Sequence, residues 1–112
     1  MAARVRQVVW AESATNALDE VIEYIAQDSQ SEAIDVLEEA LRAGASLATF
    51  SERGRIVPEL NDPAVRELFV YKYRLLYDVG DDRLLVVAFL HGGSRLHDVA
   101  AESEPVVAGH AG

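Results

Sequence analysis

The clearest strand pattern in the chain is the sequence RELFVYKYRLLYDVGDDRLLVVAFLHGGSR, from Arg66 to Arg95. It contains two apolar runs, Tyr73–Val79 and Leu84–Leu90, rich in the Val, Leu, Phe and Tyr residues that favour strands. The four residues between the runs, Gly-Asp-Asp-Arg, include types that are common in turns. The pattern predicts a β-hairpin, with a further strand over Val65–Val70 just upstream.

The run Leu84–Leu90 shows no polar alternation. Such a strand is covered on both faces, or lies centrally with one face covered well and the other partly. The connection Tyr71-Lys72 is too short for a parallel crossover, so the strands on either side of it should pair antiparallel. The upstream half of the chain must therefore supply the layer that covers this sheet.

Two amphipathic helices are predicted upstream of the sheet. The first runs from about Ala14 to Ala26, with Ser13 as its N-cap. The second begins near Ser31 or Glu32, after a polar break whose side chains compete for backbone hydrogen bonds. The short joint predicts an antiparallel helical hairpin that lays its apolar face on the sheet. The expected apolar stripe of the first helix is Leu18, Val21, Ile22 and Ile25, extended by Ala14 and Ala26. That of the second is Ile34, Leu37, Leu41 and Leu47 or Ala48, with Ala33, Ala40 and Ala45 filling in.

The remaining segments complete a single α+β domain over residues 1–101. Residues 4–10 predict a first strand that Trp10 closes against the core, and Ile56–Leu60 suit a short edge strand that tolerates Pro58. A short helical turn is expected near 96–101, followed by a disordered tail over 102–112. The predicted fold has two layers: a strand and a helical hairpin packed on a three- to four-stranded antiparallel sheet, in the order β-α-α-β-β-β.

Composition limits the possible functions. The 112 residues include no cysteine, which excludes disulfides, zinc–thiolate sites and cysteine nucleophiles. No apolar run approaches the roughly 20 residues that span a bilayer, and no secretory signal is visible, so we expect a cytoplasmic protein with no membrane partner. The three histidines lack the spacing of metal ligands, and Gly92-Gly93 is not part of a phosphate loop. We therefore expect neither a metal nor a cofactor.

The net charge of −9 is unevenly distributed. Residues 11–52 carry ten acidic side chains against Arg42 alone, whereas residues 53–95 carry seven basic and six acidic side chains. The acidic excess lies in the predicted helices and would repel nucleic acid, while the predicted sheet holds most of the arginines. The total charge does not by itself decide between a protein and a nucleic-acid partner.

Short pieces spread over residues 5–98 match one superfamily in order and spacing. They are Val9-Trp10, Ala14–Leu18, Ile22–Ile25, Gly54-Arg55, Val57–Leu60, Arg66–Leu68, Tyr73–Tyr77, His91-Gly92 and Arg95. In these pieces the chain resembles the RelE/ParE superfamily of type II toxin–antitoxin toxins, and within it the ParE-like branch. The resemblance implies the fold above, a plasmid stabilisation-like role, and a cognate antitoxin that forms a hetero-oligomer with the toxin.

The superfamily contains two kinds of activity. ParE-like members are understood to poison DNA gyrase without catalysis, and this is the function we predict for the chain. RelE-like members are ribosome-dependent endoribonucleases that cut mRNA, which is the alternative. A member that retains only antitoxin binding is a third possibility.

The ribonuclease alternative requires an acid, a base and cations for the charge of the phosphorane. The residues available for these roles are Arg66, Arg74, His91 and Arg95, with Glu59 as an alternative acid or base. However, residues 68–70, where such ribonucleases tend to place arginine, are Leu-Phe-Val, and no tyrosine follows Tyr77. These departures favour the gyrase reading.

The alternation of side chains along Tyr73–Tyr77 also predicts a partner-binding face. Tyr73, Leu75 and Tyr77 share one face, which we interpret as core, so Arg74 and Leu76 point to the other. Arg74 is expected to pair with Glu59 or Glu67, and an open apolar face around Leu76 would accept an antitoxin segment. The predicted partner contacts are Leu76, Arg74, Arg95 and His91.

Overall fold

The computed structural model describes residues 5–94. Arg95, the helical turn expected near 96–101 and the tail expected over 102–112 lie outside the described residues. The elements are β1 (Gln7–Trp10), α1 (Glu12–Ala26), α2 (Gln30–Ser46), β2 (Arg55–Ile56), β3 (Val65–Val70), β4 (Tyr73–Val79) and β5 (Arg83–His91). Neither helix of this described range is long and apolar enough to cross a membrane.

The strands form one sheet of five, in the order β1-β5-β4-β3-β2. β1 pairs parallel with β5, from Gln7 opposite Arg83 to Trp10 opposite Val86, and the other three pairs are antiparallel. The parallel pair arises because the helical hairpin carries the chain across one face of the sheet after β1. The predicted α+β architecture is confirmed, with the first strand added to the sheet. β5 lies between two strands, which explains its unbroken apolar sequence.

A β-bulge in β5 changes which residues face the helices. Leu76 of β4 pairs with Ala88, whereas Tyr77 pairs with Val86, so Val87 is the extra residue. Before the bulge, Leu84 and Val86 face the helices, and after it Phe89 does. The insertion shifts the phase of the alternation by one residue. Val87 and Ala88 consequently both pack on the opposite face of the sheet.

The main core lies between the helical hairpin and the sheet. The prediction that Tyr73, Leu75 and Tyr77 share the buried face is confirmed, since all three belong to this core. Tyr73 stacks on Phe89 of the neighbouring strand with the ring centroids 5.4 Å apart. Aromatic and aliphatic side chains of the central strands thus supply most of the apolar surface that the helices cover.

The inward face of α2 differs from the prediction. Ile34 and Leu41 were expected in the core, yet they are 53% and 51% exposed. The buried residues of α2 are small: Ala33 and Ala40, which were expected on this face, together with Val36, Ala43 and Gly44. These residues let the helix approach the sheet closely; a Cβ added to Gly44 would lie only 3.1 Å from the Trp10 indole. Close approach by these small residues leaves Ile34 and Leu41 exposed, whereas Leu37 packs partly buried against the core and Leu47, just after the helix, is fully buried as predicted.

The helix starts and the edge strand also depart from prediction. Ser13 is not an N-cap, because α1 already begins at Glu12 after Ala11, with no side-chain cap. α2 begins at Gln30, slightly earlier than expected, and the Ser29 hydroxyl accepts a hydrogen bond from the backbone N–H of Glu32 at 3.1 Å. The edge strand expected over Ile56–Leu60 is reduced to Arg55–Ile56, because the chain turns immediately after Val57.

Candidate functional site

A buried ion pair joins β3 and β4 on the outer face of the sheet, the face turned away from the helices. Arg74 of β4 is 4% exposed and Glu67 of β3 is 1% exposed. The Arg74 Nε donates to Glu67 Oε1 at 2.6 Å. Both side chains lie on the same face in diagonal positions, since Glu67 is directly opposite Leu76 and Arg74 opposite Phe69. The predicted ion pair between neighbouring strands is confirmed.

Arg74 makes further contacts with the loop after β2 and with Ser94 in the segment after β5. Its Nη1 and Nη2 donate to the two carboxylate oxygens of Glu59 at 3.0 and 2.9 Å, and Nη1 also donates to the Ser94 carbonyl at 3.2 Å. The hydrogen bonds with Glu59 raise the pKa of Arg74 above its usual value, against the lowering caused by burial, and Glu67 adds to the rise. The guanidinium is therefore permanently charged and committed to protein groups.

Glu67 is shared between two arginines. Its second oxygen, Oε2, accepts from the Nε of Arg55 at 2.5 Å, and the Arg55 guanidinium lies 5.4 Å from the centroid of the Phe69 ring. Arg55 and Phe69 are both largely exposed. The network Glu59–Arg74–Glu67–Arg55 thus runs from the interior to the surface with two charges of each sign. Within residues 5–94, no buried side-chain nitrogen or oxygen lacks a hydrogen-bond partner.

The open apolar face expected around Leu76 is not observed. Leu76 is only 1% exposed and belongs to a second, smaller apolar cluster with Val57 and Leu90. The cluster forms because the chain after β2 stays beside β3, where the Val57 N–H donates to the Val65 carbonyl at 3.2 Å. Val57 thereby joins Leu76 in a packed group. The prediction that Leu76 lies on an open apolar face is therefore wrong.

Arg66 lies on the helix-facing side of the sheet, because it is directly opposite Tyr77. Its Nη1 donates to the Gly54 carbonyl at 3.0 Å and the Glu52 carbonyl at 3.4 Å, and its Nε to the Pro63 carbonyl at 3.2 Å. The role visible in these contacts is to hold two loops together. Nearby, the Tyr77 hydroxyl accepts from the Gly54 N–H at 2.9 Å, and burial raises the pKa of Tyr77.

His91 ends β5 directly opposite Tyr73 and makes an edge contact with that ring, the centroids being 5.8 Å apart. Its Nδ1 accepts a hydrogen bond from the Gly93 N–H at 3.0 Å, which holds the imidazole at the end of the strand. The imidazole is exposed. Of the predicted partner contacts within residues 5–94, His91 is exposed, whereas Arg74 and Leu76 are buried.

The described ribonuclease candidates do not converge. Arg74 points to the outer face of the sheet, whereas Arg66 and His91 belong to strand positions on the helix-facing side. Their partners Tyr77 and Tyr73 are four residues apart along β4, a separation of roughly 13 Å. In-line phosphoryl chemistry needs its acid, base and cations around one phosphate, and residues 5–94 do not bring these three side chains to such a point.

Two features escaped the sequence analysis. Arg55 and Phe69 extend the ion-pair network to the surface. The two-residue alternation of a strand places Phe69 on the same face as Glu67, but Phe69 was considered only as a residue standing where ribonucleases place arginine. Tyr71 was treated as a simple connection. It has φ = 54°, which bulky residues rarely adopt, and a tyrosine in a two-residue hairpin turn was the available signal.

Comparison with solved structures identifies the class of fold. The chain is similar to a protein of the structure titled "Chromosomal ParDE TA system from P. aeruginosa", with 15% sequence identity and a TM-score of 0.64, over 80% of this chain and 98% of that chain. At this identity the likeness shows the fold alone. No curated protein sequence matches the chain at a significant level.

The family itself is shown by a sequence model. The model of the ParE toxin of the type II toxin–antitoxin system parDE matches residues 8–96, which include both helices and all of the sheet except Gln7. The chain therefore belongs to the ParE toxin family, and the resemblance noted from its sequence pieces is confirmed.

Proposed function

We propose that the protein arrests bacterial growth by binding a protein target, DNA gyrase, without catalysing a reaction, and that a cognate antitoxin neutralises it in a hetero-oligomer. Membership of a type II toxin family supports the toxin role and implies an antitoxin partner. The gyrase target is the expectation for the ParE-like branch. A plasmid stabilisation-like role follows from the same pairing of toxin and antitoxin.

The single observation that carries the choice of a protein target is the state of Arg74. A ribonuclease needs exposed cations that can meet a developing phosphorane charge. Arg74 is buried and donates to Glu59, Glu67 and the Ser94 carbonyl, so a phosphate could reach it only by displacing these partners. Removing such partners from a buried guanidinium costs several kcal/mol. Arg74 is therefore a structural cation.

The charge of the helical layer supports the same choice. Residues 11–52 carry ten acidic side chains and one basic side chain. A ribosomal RNA surface would be repelled by this layer at distances up to the Debye length, about 8 Å at physiological salt. A protein partner can offer complementary charges. Of the predicted partner contacts, His91 is exposed and available to a protein partner, whereas Arg74 and Leu76 are buried on the outer face of the sheet.

The test is controlled expression in bacterial cells without antitoxin, with growth, DNA-damage response and transcript integrity followed together. Growth arrest with induced DNA damage and intact transcripts is the expected result. Purified protein should also inhibit gyrase supercoiling in vitro. Arrest with rapidly cut transcripts would instead establish the ribonuclease alternative, and absence of arrest would indicate a member that retains antitoxin binding alone.

A matched variant sharpens the distinction. His91→Gln removes the imidazole as an acid or base but preserves a side chain that can accept from the Gly93 N–H. For a gyrase-directed toxin, this variant should leave supercoiling inhibition within about tenfold of the wild type. Loss of transcript cleavage on the same change would contradict the proposal.

A further inference from the structure

A cavity of about 450 Å³ opens between the helical hairpin and the turn that joins β3 to β4. Its apolar walls come from Ile25 of α1, Val36 of α2 and Tyr73 of β4. The exposed side chain of Tyr71 stands at its edge, 64% accessible to solvent. Concave, mostly apolar sites of this size with a few polar groups are typical of binding pockets. The outer-face network and the predicted site residues do not line it.

The charged residues that line the cavity are acidic in excess. Glu32 and Asp35 of α2 line it, and Lys72 is the single cation among its lining residues. The two carboxylates belong to the acidic layer of residues 11–52, so the surrounding field is negative as well. An entering side chain is therefore favoured if it is cationic at its tip and aliphatic along its stem. Lysine and arginine meet both conditions.

The backbone conformation of Tyr71 is strained, which costs free energy in the folded protein. It has φ = 54° in a two-residue hairpin turn, where glycine or asparagine would be unstrained. An exposed aromatic side chain held in this conformation gains little burial in the free protein. A residue that costs free energy in the free protein and faces a cavity suits a role in binding.

We propose that this cavity binds a lysine or arginine side chain carried on an apolar segment of the antitoxin. Glu32 and Asp35 receive the charge, while Ile25, Val36 and the tyrosine rings contact the stem. The identity of the partner as the antitoxin rests on the proposed function. The charge of the cavity disfavours other occupants: phosphates and anionic membrane surfaces meet two carboxylates, and a second copy of the chain brings a strongly negative surface of its own.

The experiment uses the full-length protein and amidated peptides in which one arginine is flanked by leucines. Matched peptides replace the arginine by citrulline, which keeps the shape without the charge, or by glutamate. Binding is followed by NMR through the amide signals of Tyr71, Lys72 and Val36. The arginine peptide should bind at least about tenfold more tightly than the citrulline peptide, a difference of about 1.4 kcal/mol, and the glutamate peptide should not bind. Equal binding of all three would overturn the proposal.

Variants of the protein give effects of opposite sign. Asp35→Asn should weaken arginine-peptide binding several-fold, whereas Lys72→Ala should strengthen it, because it removes the one cation of the lining. Glu38→Gln, on α2 but outside the cavity lining, is the matched control and should change binding by less than about twofold. The same loss of affinity in Glu38→Gln as in Asp35→Asn would show a general charge effect and refute a specific site.

Tyr71→Gly separates binding from folding. It relieves the positive-φ strain, so the melting temperature should stay the same or rise, while arginine-peptide binding should fall about tenfold. Loss of stability together with binding would assign Tyr71 a structural role and contradict the proposal.

Expression of these variants without antitoxin distinguishes the inference from the proposed function. Tyr71→Gly and Asp35→Asn should arrest growth as the wild type does, because the cavity serves the antitoxin. Loss of arrest in both would place the cavity on the target-binding surface and overturn the antitoxin assignment. A wild type that binds the arginine peptide yet does not arrest growth would refute the proposed toxin activity but leave the antitoxin as the source of the side chain, since a member that retains antitoxin binding alone behaves in this way.

Discussion

The buried carboxylate of Glu67 provides the most demanding test of the structure, through the substitution Glu67→Ala. The change removes the partner of Arg74 Nε and of Arg55 Nε together. Deleting one member of a buried ion pair typically costs about 3–5 kcal/mol, because the remaining charge stays desolvated. Two features reduce this cost here: Arg74 keeps both oxygens of Glu59, and the largely exposed Arg55 can be solvated. We therefore expect a loss of about 3 kcal/mol in the free energy of unfolding.

The assay is urea denaturation followed by the fluorescence of Trp10, the single tryptophan of the chain. The shift of the midpoint at constant m-value gives the change in free energy. Glu39→Ala is the control, since Glu39 pairs with Arg42 on the surface of α2, and it should change stability by less than about 1 kcal/mol. A cost for Glu67→Ala as small as that of the control would refute the reasoning that the outer-face network is buried and coupled.

A double replacement extends the same test. Glu67→Leu combined with Arg74→Met exchanges the pair for apolar side chains beside the apolar cluster of Leu76. Such replacements of buried ion pairs are often neutral or stabilising, so the double variant should be markedly more stable than either single variant. Additive losses would show that the two residues do not interact.

Three further predictions concern the core and the loops. Leu41→Ala should lower the free energy of unfolding by less than about 1 kcal/mol because Leu41 is exposed, whereas Leu47→Ala, at a fully buried position, should lower it by about 2–5 kcal/mol. Urea denaturation compares the two variants, and equal losses would contradict the observed burial of these two residues. Stability should fall as the pH rises above about 10, because the unfolded chain ionises Tyr77 at its ordinary pKa while burial raises the pKa of Tyr77 in the folded protein. Thermal melts between about pH 8 and about pH 11 should show a weaker dependence of the melting temperature on pH for Tyr77→Phe than for the wild type, and identical slopes would exclude this linkage. Gly54→Ala should unfold or severely destabilise the protein, since its Cβ would lie 2.5 Å from the backbone carbonyl of Glu67; a melting temperature equal to that of the wild type would refute this packing.

Local pattern was sufficient for β3, β4 and β5 and for their order along the chain. The predicted bounds of Val65–Val70 and Tyr73–Val79 agree with β3 and β4, because two-residue alternation and turn chemistry act over a few neighbouring residues. The same alternation identified the pairing of Arg74 with Glu59 or Glu67, since it put Arg74 on the face opposite the core tyrosines. The family resemblance rested on these local pieces and was confirmed.

The inward face of α2 could not be read from periodicity. The bulky residues Ile34, Leu37 and Leu41 and the alanines beside them all repeat at the helical spacing, so hydrophobicity centred the predicted face on the bulky residues, with the alanines filling in. The choice depends on how closely Gly44 can approach Trp10, which is a contact between elements distant in the chain. Packing distance is a property of the assembled layers.

The residues that could meet a partner were likewise decided by tertiary contacts. Sequence alternation placed Arg74 and Leu76 on the outer face, but whether that face is open depends on Val57, which packs there from the loop after β2. The cavity beside Tyr71 exists only where the ends of both helices meet the turn between β3 and β4. Side-chain direction follows from the local period of a strand, whereas burial and cavities depend on segments brought together from different parts of the chain.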